Sequence, residues 1–243
     1  LSREVLVLSG SYGIDLSARF HTLESNRTPE IVFALHGSNI PIPLGDRESL
    51  VTMDINGMYG GVDSWEVVFR EFSITDLPVP GAGGNRLSLA GRINSESGRI
   101  YRLRYADEYS SISGKGQISR NANKKSGSGF SYSGWLQLSD SGGEEQYHFS
   151  GGYESGTVSG RLAFSGAPVR RWGIQNLGGS ISGSASVSYE GKKDYLIEAG
   201  VDSDQLLFNE EPLSASSSIT IDPNGSQFED TNILYRNNQF TNS

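Results

Sequence analysis

Short runs in which every second residue is apolar recur along this chain, and they predict strands. Ile14, Leu16, Ala18 and Phe20 alternate with Asp15, Ser17, Arg19 and His21. A period of two sends one set to a dry face and the other to a wet one. Val51, Met53 and Ile55 repeat the pattern, and residues 65–72 read as a long aromatic strand. Val5, Leu6, Val7 and Leu8 form a continuous apolar run, as do residues 31–35. Runs this short suit strands buried on both faces.

One phrase punctuates the strands: an apolar residue, then Ser-Gly or Ala-Gly. It stands at Leu8-Ser9-Gly10, Leu89-Ala90-Gly91, Ile112-Ser113-Gly114, Tyr132-Ser133-Gly134, Phe149-Ser150-Gly151, Val158-Ser159-Gly160 and Ile181-Ser182-Gly183. Small residues inside alternating runs mark bends, bulges or close backbone approach. The irregular spacing of the phrase argues against a strict solenoid. From residue 87 onward, paired strand signals flank loops of Gly, Asn, Asp and Ser, as hairpin turns require. Sequence neighbours then pair in space. The expected fold is all-β, an antiparallel meander forming a sandwich or barrel, with little or no helix. Residues 169–177 suit one or two helical turns, with Trp172 and Leu177 packing inward.

The whole chain, residues 1–243, is read as a single large β domain. The loop at 77–85, rich in Pro and Gly, is the candidate internal boundary. The segment 213–243 is polar, with one strand signal at 219–221 and a loose end from residue 235.

Composition sharpens this picture. Hydrophobic residues make up 35% of the chain, with 31 Gly. The core must lean on 11 Tyr, 10 Phe and 3 Trp. The net charge of −8 disfavours nonspecific binding to nucleic acid or anionic membrane. The absence of Cys rules out disulfides, thiolate metal sites and a Cys nucleophile. No apolar run reaches the ~20 residues of a membrane-spanning helix. Polar β composition, lack of Cys and a first residue other than Met lead to the expectation of a processed, secreted or cell-surface protein. Basic pairs at Lys124-Lys125 and Lys192-Lys193 read as solvated turns.

Candidate chemistry is sparse. His21, His36 and His148 sit on polar phases or strand ends, with no nucleophile elbow nearby. Asp63 with Glu66, Glu66 with Glu71, and Asp107 with Glu108 are carboxylate pairs of the kind glycoside hydrolysis needs. Glu66 should point away from Trp65, Val67 and Phe69. Asp222, Asn224 and Ser226, followed by Glu229 and Asp230, offer oxygen ligands for calcium, but no acidic residue closes the loop signature. The segment at 81–84 lacks the Lys-Ser/Thr of a phosphate loop. No cofactor is expected. Asn26 and Asn224 head glycosylation sequons.

These observations favour a noncatalytic structural or adhesive subunit over an enzyme. Val5, Leu6, Val7 and Leu8 are the candidate interface. They either pair within their own sheet or complete that of a neighbouring copy, which would build a filament. The expected partners are copies of the chain itself, with a glycan or cell-surface ligand in addition and no membrane insertion. One alternative is a lipocalin-like barrel binding a small ligand, with Trp135, Tyr147 and Phe149 lining its cavity. The other is a glycan-active enzyme on a β-sandwich.

Overall fold

The computed structural model describes residues 3–9, 13–21, 30–44, 47–78, 84–123, 127–141, 143–172, 176–191, 194–236 and 238–242. The chain is an all-β antiparallel meander, with 86% of the described residues in strands. It divides into two compact units, Leu1–Ser119 and Arg120–Ser243. The predicted loop at 77–85 falls inside the first unit. There Asn85, 1% exposed, accepts from Leu77 N at 2.7 Å and donates to Leu77 O at 2.9 Å. Ser49 Oγ donates to Asp76 O beside it, at 2.9 Å.

The first unit runs through β1 (Arg3–Ser9), β2 (Ile14–His21), β3 (Glu30–Leu44), β4 (Arg47–Tyr59), β5 (Trp65–Thr75), β6 (Arg86–Asn94), β7 (Ser97–Ala106) and into β8 (Ser110–Asn123). The second holds β9 (Gly127–Asp140), β10 (Gly143–Glu154), β11 (Thr157–Pro168), β12 (Leu177–Gly191), β13 (Asp194–Phe208), β14 (Glu211–Asp222), β15 (Gly225–Tyr235) and β16 (Asn238–Asn242). Within each unit every strand pairs antiparallel with its neighbour in sequence. The sole helical segment among the described residues is a 3-10 turn at Val169–Trp172. Val169 is buried there and Leu177 packs against the same cluster. The side chain of Trp172 lies outside the described residues.

Two differences from the sequence reading have physical causes. β3 continues through Pro41 and Pro43 to Leu44, well past the apolar run at 31–35. Proline lacks the N–H that an interior strand must donate. β2 pairs with β3 only as far as Gly37, so both prolines lie where β3 has a partner on one side only. The polar segment from residue 213 forms β14, β15 and β16, not a single strand with a loose end. Its serines, Ser216, Ser217 and Ser218, are held by pairing on both sides, with a bulge against β15. Ser217 Oγ and Thr231 Oγ1 share a hydrogen bond of 2.9 Å.

The buried core is small. Among the described residues its one cluster is Ala167, Val169, Ile181 and Leu206, with Phe164, Leu177, Leu213 and Ala215 packed around it. The chain exposes 16,244 Å². Two separate compact units of half this mass would expose only about 12,800 Å² together. Much sheet surface therefore stays in contact with water.

Candidate functional site

Register assigns every paired residue to a face, because directly opposed residues point the same way. In the second unit, Phe130 opposes Tyr153, and Tyr132 opposes Gly151. Tyr147 opposes Phe164, and Phe149 opposes Leu162. The same face continues through Val158, Val187, Tyr189, Ile197, Val201, Ile219, Ile221 and Phe228. It crosses every strand from β9 to β15. Seven strands at ~4.8 Å spacing make it about 30 Å wide. The opposite face carries Ser133, Ser150, Ser159, Ser184, Ser186, Ser188, Ser218 and Thr220 along the same registers.

The first unit has the same two-sided build. Leu16, Leu35, Ile55 and Phe69 form one row across β2 to β5. Phe72, Leu89 and Leu103 form another across β5 to β7. Arg19, Val32, Met58 and Glu66 lie on the other face and line a depression of about 400 Å³.

The repeated apolar–Ser–Gly phrase acquires a function here. In the copies from Leu89 onward, its apolar residue and its glycine share the apolar face, and its serine or alanine takes the polar one. At two of its glycines, Gly151 and Gly183, a neighbouring ring settles into the gap. Tyr132 lies over Gly151, its Oη 2.6 Å from where a Cβ would stand. Phe164 lies over Gly183 with its Cζ at 2.9 Å, and outside the phrase Phe33 covers Gly57 of the first unit in the same way. The rings also meet each other across strands: Phe130 with Tyr153 at 6.3 Å, Tyr132 with Phe149 at 6.5 Å, Tyr147 with Phe164 at 6.3 Å. The result is a low, ring-paved apolar surface that water still reaches. Phe130, Val158 and Val201 are each more than 40% exposed.

One carboxylate interrupts it. Glu145, 1% exposed, accepts a 2.6 Å hydrogen bond from Tyr147 Oη. Sequence reasoning missed Glu145, and nothing in its local pattern distinguishes it from the exposed Glu144. Trp135 opposes His148 on the serine-rich face, so it does not join Tyr147 and Phe149 in one cavity. This corrects the expectation that all three line one pocket.

The other predicted residues occupy separate places. Glu66 does point away from Trp65, Val67 and Phe69, and Arg92 holds it in an ion pair. Glu71 lies on the same polar face, 3.6 Å from the Arg86 guanidinium. Asp63 is exposed in the turn before β5, where its carbonyl accepts from Ser95 Oγ. His36 Nδ1 lies 3.1 Å from Asp54. The backbone of Val5, Leu6, Val7 and Leu8 pairs with Arg19, Ala18, Ser17 and Leu16 of its own chain. Their side chains, like that of His21, lie outside the described residues, as do Asn26, Lys124, Lys125, Lys192 and Lys193. Asp222 Oδ1 accepts from the backbone N–H of Asn224 and of Gly225, which closes the β14–β15 turn. Among the described residues no three of His, Asp and Glu are grouped to hold a metal ion.

Asp107 is likewise a turn residue. Its carboxylate accepts from the backbone N–H of Tyr109 at 2.8 Å and of Ser110 at 2.7 Å. Tyr105 Oη donates to it at 2.9 Å. These bonds, that from Tyr109 foremost, hold the Asp107 carboxyl below its ordinary value. A group with a lowered folded value stabilises above its unfolded value, and that contribution fades as pH falls through the folded one. The β7–β8 turn is therefore expected to hold at pH 5 and loosen in stronger acid. Hydrogen exchange at Tyr109 and Ser110 checks this. Asp107→Ala should remove their protection at pH 7, and an unchanged exchange rate would contradict the assignment.

No protein-family model, curated protein or solved structure matches this chain.

Proposed function

We propose that this chain is a noncatalytic binding module that holds long apolar chains, such as the acyl chains of lipids, against the ring-paved face of its sheet. The observation that carries the reading is the continuity of that face across seven strands with its side chains still accessible. Its polar groups are few beside its apolar area: the hydroxyls of Tyr132, Tyr153 and Tyr189, and a Tyr147 hydroxyl already spent on Glu145. Protein interfaces of standard size carry roughly ten hydrogen bonds. Flexible apolar chains need none, and area removed from water drives their binding. The reading deepens the ligand-binding alternative and places the ligand on an extended face.

The test uses the full chain and a fluorescent long-chain fatty acid. Saturable binding is expected. Ile197→Asp combined with Val201→Asp should weaken it about tenfold or more, since each charge removes an apolar contact worth roughly 1.5–3 kcal/mol. Ser184→Asp, on the opposite face, should leave it within about twofold. Absent binding, or equal losses from both faces, overturns the proposal.

A second reading is a secreted or cell-surface structural subunit that assembles by strand addition. What favours it is β1, first in the strand order and paired on one side to β2. An unpaired strand edge templates another strand. Under this reading, deleting residues 1–9 leaves a folded monomer that no longer assembles. A deletion that only unfolds the protein speaks against it.

A further inference from the structure

Two stretches of polar sheet face, one in each unit, carry opposite charge. Residues 86–104 hold five arginines and a single acid, Glu96, in a chain of net charge −8. Register places these arginines together on the face opposite Leu87, Leu89 and Leu103. Arg92 opposes Arg99, Arg102 opposes Ala90, and Arg104 opposes Ser88. Lys115 of the adjacent β8 is exposed beside them. Neighbouring positions on a sheet lie about 5 Å apart across strands and about 7 Å apart along them. Like charges so close repel one another, and nearby anions relieve only part of this patch. Glu66 pairs with Arg92, and Glu71 approaches Arg86. Arg99 lies over the Tyr101 ring at 5.5 Å. Arg102, Arg104 and Lys115 meet no carboxylate among the described residues.

The complementary surface is in the same sequence. Residues 194–235 contain nine carboxylates and no Lys or Arg. Glu198 opposes Ser186 and Thr220, Asp202 opposes Ser216, and Glu229 opposes Ser218. All three therefore lie on the serine-rich face. Glu198 and Glu229 line a depression of about 570 Å³, which Arg161 also borders. Among the described residues neither Asp202 nor Glu229 forms an ion pair.

We propose that the arginine patch of β6–β7 docks onto the acidic face of β13–β15 in a second copy of this chain. Both surfaces are polar and reached by water, and each supplies the charge that the other lacks. Arginine predominates over lysine in the patch, which suits forked pairing with carboxylates. The two surfaces differ, so the contact is head-to-tail, and each copy keeps a free patch and a free acidic face for further copies. The inference uses the polar face alone and stands apart from the apolar-chain reading.

The test is sedimentation velocity on the full chain at about 25 mM and about 500 mM salt, which bracket strong and weak screening. Concentration-dependent association is expected at low salt, with loss at high salt. Arg102→Glu with Arg104→Glu, or Glu198→Arg with Glu229→Arg, should each weaken association about tenfold or more. Each variant alone then presents like charges on both surfaces. Mixing the two variants should restore association, because each retains the surface that the other has lost. That recovery also shows that both variants are folded. A wild-type chain that stays monomeric at low salt overturns the proposal. So does association that survives both reversals, or variants that fail to recover on mixing.

Discussion

Gly179→Ala is expected to destabilise the second unit by about 3 kcal/mol or more, while Gly178→Ala changes it by less than about 0.5 kcal/mol. Gly179 has φ +90°, a conformation that L side chains rarely adopt. It lies at the bulge where β12 shifts register against β13. A methyl group there would run into the Gln205 carbonyl and stand 3.0 Å from Leu206 Cα. Both obstacles are backbone, so no rotamer change relieves them. At Gly178 the nearest atom is Leu207 Cβ, 3.8 Å away. The added methyl is accommodated, and the lower entropy of the unfolded chain offsets much of any cost. Urea denaturation of the two variants separates the outcomes. Equal midpoints would mean that the bulge is not placed as described.

Leu206→Ala is expected to cost about 2–4 kcal/mol, and Leu207→Ala less than about 1 kcal/mol. The two leucines are adjacent in β13 and point to opposite faces. Leu206, 6% exposed, belongs to the small cluster with Ala167, Val169 and Ile181. Leu207 is 42% exposed. In a protein with so little buried apolar volume, a cavity in that cluster removes a large share of the core. Thermal unfolding followed by circular dichroism should show a clear drop in midpoint for the first variant alone. Similar drops for both would place the stabilising contacts elsewhere.

The all-β meander was legible because period two and turn residues are local signals. Ile14 to Phe20 and the hairpin loops after residue 87 carry them directly. The polar side of Glu66 was legible for the same reason. The strands around Ser216 to Ser218 were not, because serine has no apolar period to read and only the partners on either side hold that segment extended. Proline is disfavoured inside a strand, so no local signal carries β3 through Pro41 and Pro43, and the length of β2, a tertiary fact, decides it. The Ser-Gly phrase was visible as a pattern, but its purpose depends on cross-strand register. Tyr132 covers Gly151 from another strand, and no reading of either strand alone pairs them. Residue type alone groups Trp135 with Tyr147 and Phe149, and a parity difference across the β9–β10 register separates them. The charge on β6 and β7 was hidden by the chain's overall negative balance. It became a patch once strand pairing set Arg92 beside Arg99.

The strand order has a kinetic consequence. Each strand in a unit pairs with the one made just before it, so every closure spans only a short stretch of chain. Loop-closure entropy grows with the length closed, and sheets that need distant partners wait longest to form. Here each new strand finds its template already in place. A chain leaving the ribosome can add strands one at a time from its N-terminal end. Truncation from the C-terminus should then shorten the sheet by whole strands and leave what precedes it folded.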